Sequence, residues 1–119
     1  MSDNQLVILS KAFAVDIVNT AAALKESKVG AVLINQMLRS GTSIGANIHE
    51  ANYAASRADF INKLQIALKE CYETEYWISL LKDTNNLSET SFNDLYAQCS
   101  KLRRLLISSI TTAKKNSIK

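Results

Sequence analysis

The chain has 119 residues and a net charge of +3, with 47% apolar and 21% charged residues, three glycines and no proline. That length supports one compact domain with a real core, and a second domain would be too small to stand alone. The composition excludes a disordered chain and suits a nearly all-helical one.

The first residues, MSDNQLVILSK, carry an acid and lack both a basic region and a small-residue cleavage site, so no signal peptide is expected. No apolar run is expected to approach the roughly 20 residues of a membrane span. Two cysteines without a secretion signal read as reduced thiols of a cytoplasmic protein.

Four amphipathic segments follow from periodicity, at about 3–26, 31–54, 57–83 and 88–115. In the first, Ser2 can cap with Gln5 three residues on, and Leu6, Leu9, Phe13, Ile17, Ala21 and Leu24 form the stripe. It ends near KESKVG. The second contains RSGTSIGANIHEAN, residues 39–52, whose glycines and small polar residues disfavour a helix unless the assembled protein needs them.

The third segment starts at Ser56, with Asp59 placed as a capping partner. Its stripe is Phe60, Leu64, Ala67, Cys71, Thr74, Ile78 and Leu81, at the alternating spacing that packs helices side by side. KDTNNLSET interrupts, and the fourth carries Phe92, Leu95, Cys99, Leu102, Leu106 and Ala113. Short gaps predict antiparallel neighbours in an up-down-up-down four-helix bundle, a single all-α domain over 1–119.

Apolar residues also lie off the main stripes: Ile61, Ile66, Leu68, Tyr72, Tyr76 and Trp77 on the third helix, and Leu105, Ile107 and Ile110 on the fourth. Helices apolar over much of their circumference are buried on more than one side, which predicts a homo-oligomer. The alternative is one wide core with a few exposed rings.

Signatures of catalysis and metal binding fail in turn. HEANY places Tyr53 where a zinc-protease helix needs its second histidine. His49 is the only histidine, and Cys71 and Cys99 both sit in apolar stripes, where they read as core. Glu70, Glu73 and Glu75 lack the Glu-x-x-His pairs of a di-metal bundle. No enzyme, no metal and no cofactor is expected.

On a helix, Gly41 and Gly45 stack one turn apart and admit a close neighbour. Ser40, Ser43, Asn47 and Glu50 line a polar stripe beside Ile44 and Ile48. Such groups need partners, and Glu70 or Glu75 of an antiparallel third helix can reach Asn47 or Ser43. This network reads chiefly as architecture.

Charge is uneven. After Asp94 no acid occurs, while Lys101, Arg103, Arg104, Lys114, Lys115 and Lys119 follow. A basic final segment suits an anionic partner, or is a solvated helix face whose cations complement the dipole.

LRSGTSIGANIHEA followed by SRADFINKLQIALKECYETEYWISLL closely resembles the signature of the four-helix-bundle proteins named for 23S rRNA intervening sequences. That family is related to the accessory variability determinant proteins of diversity-generating retroelements. The likeness covers nearly the whole chain and is strongest over 38–81. It implies a ring-like homopentamer, a bacterial cytosolic setting, no catalysis, and RNA or DNA binding, with a reverse-transcriptase partner in the accessory branch. The matching positions are Arg39, Ser43, Ile44, Asn47, Glu50, Asp59 and Phe60, most of them architectural. Many relatives have AEG where this chain has HEA at 49–51, so the second helix is expected to run on toward Tyr53. Phosphate contacts would come from Arg39, Lys63, Lys69, Lys101, Arg103, Arg104, Lys114 and Lys115. The open alternative is a protein-interaction scaffold or accessory subunit without direct nucleic-acid contact.

Overall fold

A computed structural model describes the backbone over residues 2–24 and 28–117. Four helices account for nearly all of it: α1 Ser2–Ala23, α2 Lys28–Ala51, α3 Arg57–Asp83 and α4 Glu89–Ser117. The molecule measures 52 × 22 × 19 Å. Its cross-section is two helix diameters by two, as expected for a bundle.

Each helix packs against its neighbours around the bundle, and the diagonal pairs do not touch among the described residues. The pairings run in opposite chain directions. Ile17 meets Gly41 while Ser10 meets Gly45, Arg39 reaches Glu73 while Glu50 reaches Lys63, and Lys82 lies over Phe92 while Glu75 binds Arg103. This is consistent with an up-down succession. The core that results is continuous, with Leu6, Phe13, Ile17, Met37, Ile44, Leu64, Ile78, Leu95, Leu102 and Leu106 essentially sealed from water.

The helix ends follow local chemistry. Ser56 is extended (φ −150°, ψ 166°) and its side chain accepts from the Asp59 amide at 3.1 Å, so the expected cap is present. Ser88 does the same for Ser91 before α4. After α3, Asn85 takes a left-handed φ of 62°. The amide of Asn86 then donates to Leu81 O and that of Asn85 to Lys82 O, the paired bonds of a Schellman ending with Asn in the place of glycine. The next residue, Leu87, is buried and anchors the turn. The capping expectation at Ser2 falls on a side chain outside the described residues, as does part of KESKVG at 25–27.

Two expectations need correction. α2 does not run toward Tyr53 but stops at Ala51, because the amides of Asn52, Tyr53 and Ala54 donate to carbonyls three residues back rather than four. These tighter bonds close the helix into a turn. Residues 5–23 of α1 are long and apolar enough, by length and composition, to cross a membrane. Lys11 and Asp16 interrupt its apolar run but leave the mean hydropathy of the segment high. One face of that helix nonetheless supplies Leu6, Phe13, Ile17 and Ala21 to the core.

Candidate nucleic-acid interface

Gly41 and Gly45 of α2 face α1 at close range. A Cβ on Gly45 would lie 3.4 Å from the carbonyl oxygen of Ser10, and one on Gly41 would lie 3.0 Å from the γ carbons of Ile17. Ile44 and Ile48 fill the adjoining core. The stretch 39–51 is therefore continuous helix.

Two members of its polar stripe, Ser43 and Asn47, bond within α2 itself, which corrects the bonds expected from them to Glu70 or Glu75. Ser43 Oγ donates to Arg39 O at 2.6 Å and Asn47 Nδ2 to Ser43 O at 2.8 Å. Hydroxyl and amide groups one turn along a helix reach its carbonyls without help. The buried contact across α2 and α3 belongs instead to Ser40 and Thr74, whose hydroxyl oxygens lie 2.9 Å apart, with Ser40 also donating to Gln36 O.

The glutamates are engaged elsewhere. Arg39 spans Glu70 (3.3 Å) and Glu73 (2.7 Å). The hydrogen bond to Glu70, followed by the two negative charges, pushes the guanidinium pKa upward. The arginine is half exposed, so the pair contributes at most about 1 kcal/mol. Its consequence is neutralisation.

Lys63 binds Glu50 at 2.9 Å. Arg103 binds Glu75 at 2.9 Å in a more protected site, where Ser100 also donates to the same carboxylate oxygen. Three of the eight candidate cations are thus matched by carboxylates. Lys69, Lys101, Arg104, Lys114 and Lys115 are exposed and lack such a partner among the described residues.

Those five are not spread at random. Ala97, Lys101, Arg104, Ser108, Thr111 and Lys115 are all exposed and recur by fours and threes, a single stripe on the outer face of α4. From Lys101 to Lys115 it runs about 21 Å along the helix. Lys114 lies beside this stripe and meets Arg57, at the start of α3, across a shallow depression. Lys69 stands on the outer face of α3.

The off-stripe apolar residues divide. Ile61, Leu68, Trp77 and Leu105 pack onto the core, and Ile110 is buried, whereas Tyr72, Tyr76 and Ile107 are exposed. A larger apolar face was missed. On α1, Ile8, Val15 and Val18 are 67%, 50% and 48% exposed, with Ala12 and Ala22 exposed between and beyond them. The signal was present: between residues 5 and 24 only Lys11 and Asp16 are charged. Asp16 turns toward α4, where Gln98 donates to it at 2.9 Å.

No three-ligand group of His, Cys, Asp or Glu occurs among the described residues. His49 is exposed at the end of α2, 5.4 Å from the Tyr53 ring. Cys71 and Cys99 are buried as free thiols, and Cys99 Sγ donates to Cys71 O at 3.5 Å. Hydrogen bonding to Cys71, then burial, pushes the Cys99 thiol pKa far upward.

Residues 2–108 match the family described as 23S rRNA-intervening sequence protein. A crystal structure of a protein of unknown function from the S23 ribosomal protein family, from Bacteroides thetaiotaomicron VPI-5482, is similar at a TM-score of 0.89 and 49% identity. The match covers 93% of this chain and 99% of that one. No curated protein matches.

Proposed function

The chain belongs to the 23S rRNA-intervening sequence protein family, and on that premise we propose that it is a non-enzymatic, self-associating helical bundle that binds the phosphate backbone of RNA or DNA. The observation that carries this reading is the α4 stripe, where Lys101, Arg104 and Lys115 face solvent without carboxylate partners among the described residues, and no acid follows Asp94 in the sequence. Cations held this way gain by releasing counterions from a polyanion, whereas Arg39, Lys63 and Arg103 have already met their countercharge.

Self-association is supported by the apolar outer face of α1, since a contiguous aliphatic face is unusual on an isolated soluble bundle. A ring of copies, such as the homopentamer implied by the family likeness, would repeat a weak cationic stripe and multiply its affinity. The second reading, an accessory subunit, gives the α1 face to an enzyme partner such as the reverse transcriptase of retroelement relatives.

The test is fluorescence anisotropy with a structured RNA and a duplex DNA at about 50 and 200 mM salt. Three phosphate contacts per copy predict a loss of about 40-fold in affinity over that range. Replacing Lys101, Arg104 and Lys115 together by Gln should flatten the response. No binding at low salt, or binding indifferent to salt, favours the accessory-subunit reading.

A further inference from the structure

We propose that the strand bound is single, and that Tyr72 and Tyr76 of α3 stack its bases while the flanking cations hold its phosphates. This rests on the nucleic-acid reading above and specifies its substrate.

The exposed large apolar side chains differ in type from helix to helix, with Tyr53 after α2 and Ile107 on α4 standing apart from the two main groups. Aliphatic ones dominate α1 and the start of α2, where Ile8, Val15, Val18 and Val32 are exposed. Aromatic ones stand on α3, where Tyr72 and Tyr76 are 51% and 60% exposed, one helical turn apart. Aliphatic faces suit a second protein surface. Paired rings in water suit flat π-systems, and stacking on them tolerates any base.

Lys69 and Arg104 bring positive charge, unmatched among the described residues, to the flanks of the rings, and the one partly exposed acid between the rings, Glu73, is held by Arg39. Lys69 precedes Tyr72 by one turn on the same outer face of α3 and is unpaired among the described residues. On the α4 side, the Arg103 guanidinium lies 5.8 Å from the centre of the Tyr72 ring. Glu75 holds that guanidinium in place, so it is a fixed wall rather than a free cation. Arg104, next in sequence, faces solvent at the edge of the α4 stripe. Tyr76 is braced from beneath by Trp77, with ring centres 5.1 Å apart and planes at 76°.

The backbone positions of Tyr72 and Tyr76 are about 6 Å apart along the helix axis. Bases kept in a duplex are stacked on each other at about 3.4 Å per strand step and present no free face. Only an unpaired strand, with its bases splayed, can offer one base to each tyrosine.

Full-length protein is titrated with a fluorescein-labelled single-stranded RNA of about 12 nucleotides, and with the same strand annealed to its complement. The single strand is expected to bind more tightly, and its binding to quench Trp77 emission through the neighbouring Tyr76 site. Tyr72→Leu and Tyr76→Leu should each weaken single-strand binding about tenfold and leave duplex binding unchanged. Tyr72→Phe and Tyr76→Phe, which keep the ring, should bind like the parent.

Leucine variants that bind the single strand like the parent overturn the proposal. So does a change of assembly mass in those variants without a change in binding, which would make the rings a protein contact. If the duplex binds as well as the strand, the stacking proposal fails while the nucleic-acid reading stands. If neither binds at low salt, both fail.

Discussion

Gly41→Ala and Gly45→Ala place the same methyl group on the same helix face one turn apart, and the two should differ in sign. Each substitution removes a helical glycine, which favours folding by about 1 kcal/mol. At position 45 the new methyl lies 3.4 Å from Ser10 O and Oγ, close to ordinary contact, so most of that gain should survive. At position 41 it lies 3.0 Å from both γ carbons of Ile17 and 3.2 Å from Cδ1. Ile17 is fully buried, and a β-branched helical side chain has essentially one rotamer, so it has nowhere to turn. Overpacking of this kind costs about 1–3 kcal/mol. Gly41→Ala should therefore lose about 0–2 kcal/mol while Gly45→Ala gains up to about 1 kcal/mol. Urea unfolding followed by far-UV circular dichroism, at one protein concentration, measures both. Ile17→Leu moves the branch away from Cβ, so its own cost, below about 1.5 kcal/mol, should shrink in the Gly41→Ala background. Equal stabilisation by both alanines, or a full additive cost for Ile17→Leu, would refute the close approach of α1 to α2.

Three further outcomes are expected. Glu75→Ala should destabilise by about 2–3 kcal/mol, because it strands Arg103 and Ser100 in a mostly buried seam. Adding Arg103→Met should recover part of that loss in a urea double-mutant cycle, and strict additivity would count against the pair. Cys71 and Cys99 should resist Ellman's reagent in native protein at neutral pH and react fully in urea, since the thiolate is the nucleophile and the Cys99 pKa is shifted upward; labelling of either in the native state would contradict this. Val15→Glu should reduce the assembly seen by light scattering to single protomers with helicity intact, and an unchanged mass would remove α1 as the contact face.

What could be read from the sequence depended on range. Helix number, the stripes and the Ser56 cap are local patterns, set by a period of 3.6 and by a residue three positions from its partner. The end of α2 was not legible, because Asn52–Ala54 tighten into a turn without the glycine or proline that would announce it. Partner choice was less legible still. Arg39 could meet any of several carboxylates on α3, and the register of two antiparallel helices decides that it meets Glu70 and Glu73. A shift of one residue would turn the stripe by about 100° and change every pair. The apolar outer face of α1 was visible as a near absence of charge, but absence at one face carries less weight in a periodicity search than presence at another.

The same register explains why a chain of low net charge can still present a cationic surface. Five of its eleven acids lie on α3, where Glu70 and Glu73 meet Arg39 of α2 and Glu75 meets Arg103 of α4, while Lys63 of α3 meets Glu50 of α2. Each pair has little worth as stability where water screens it. Its larger effect is to cancel charge on the flanks of α3. Among the described residues the cations left without a carboxylate are Lys101, Arg104, Lys114 and Lys115 on α4, Lys69 beside the two exposed tyrosines, and Lys11, Arg57 and Lys82 elsewhere. Removing one of the paired acids should therefore alter binding: Glu73→Gln, next to Tyr72 on α3 and off the α4 stripe, takes away one of the two carboxylates on Arg39 and leaves Glu70 in place. It should raise nucleic-acid affinity at low salt modestly and steepen the salt dependence, and an unchanged slope would show that the seam pairs do not shape the cationic surface.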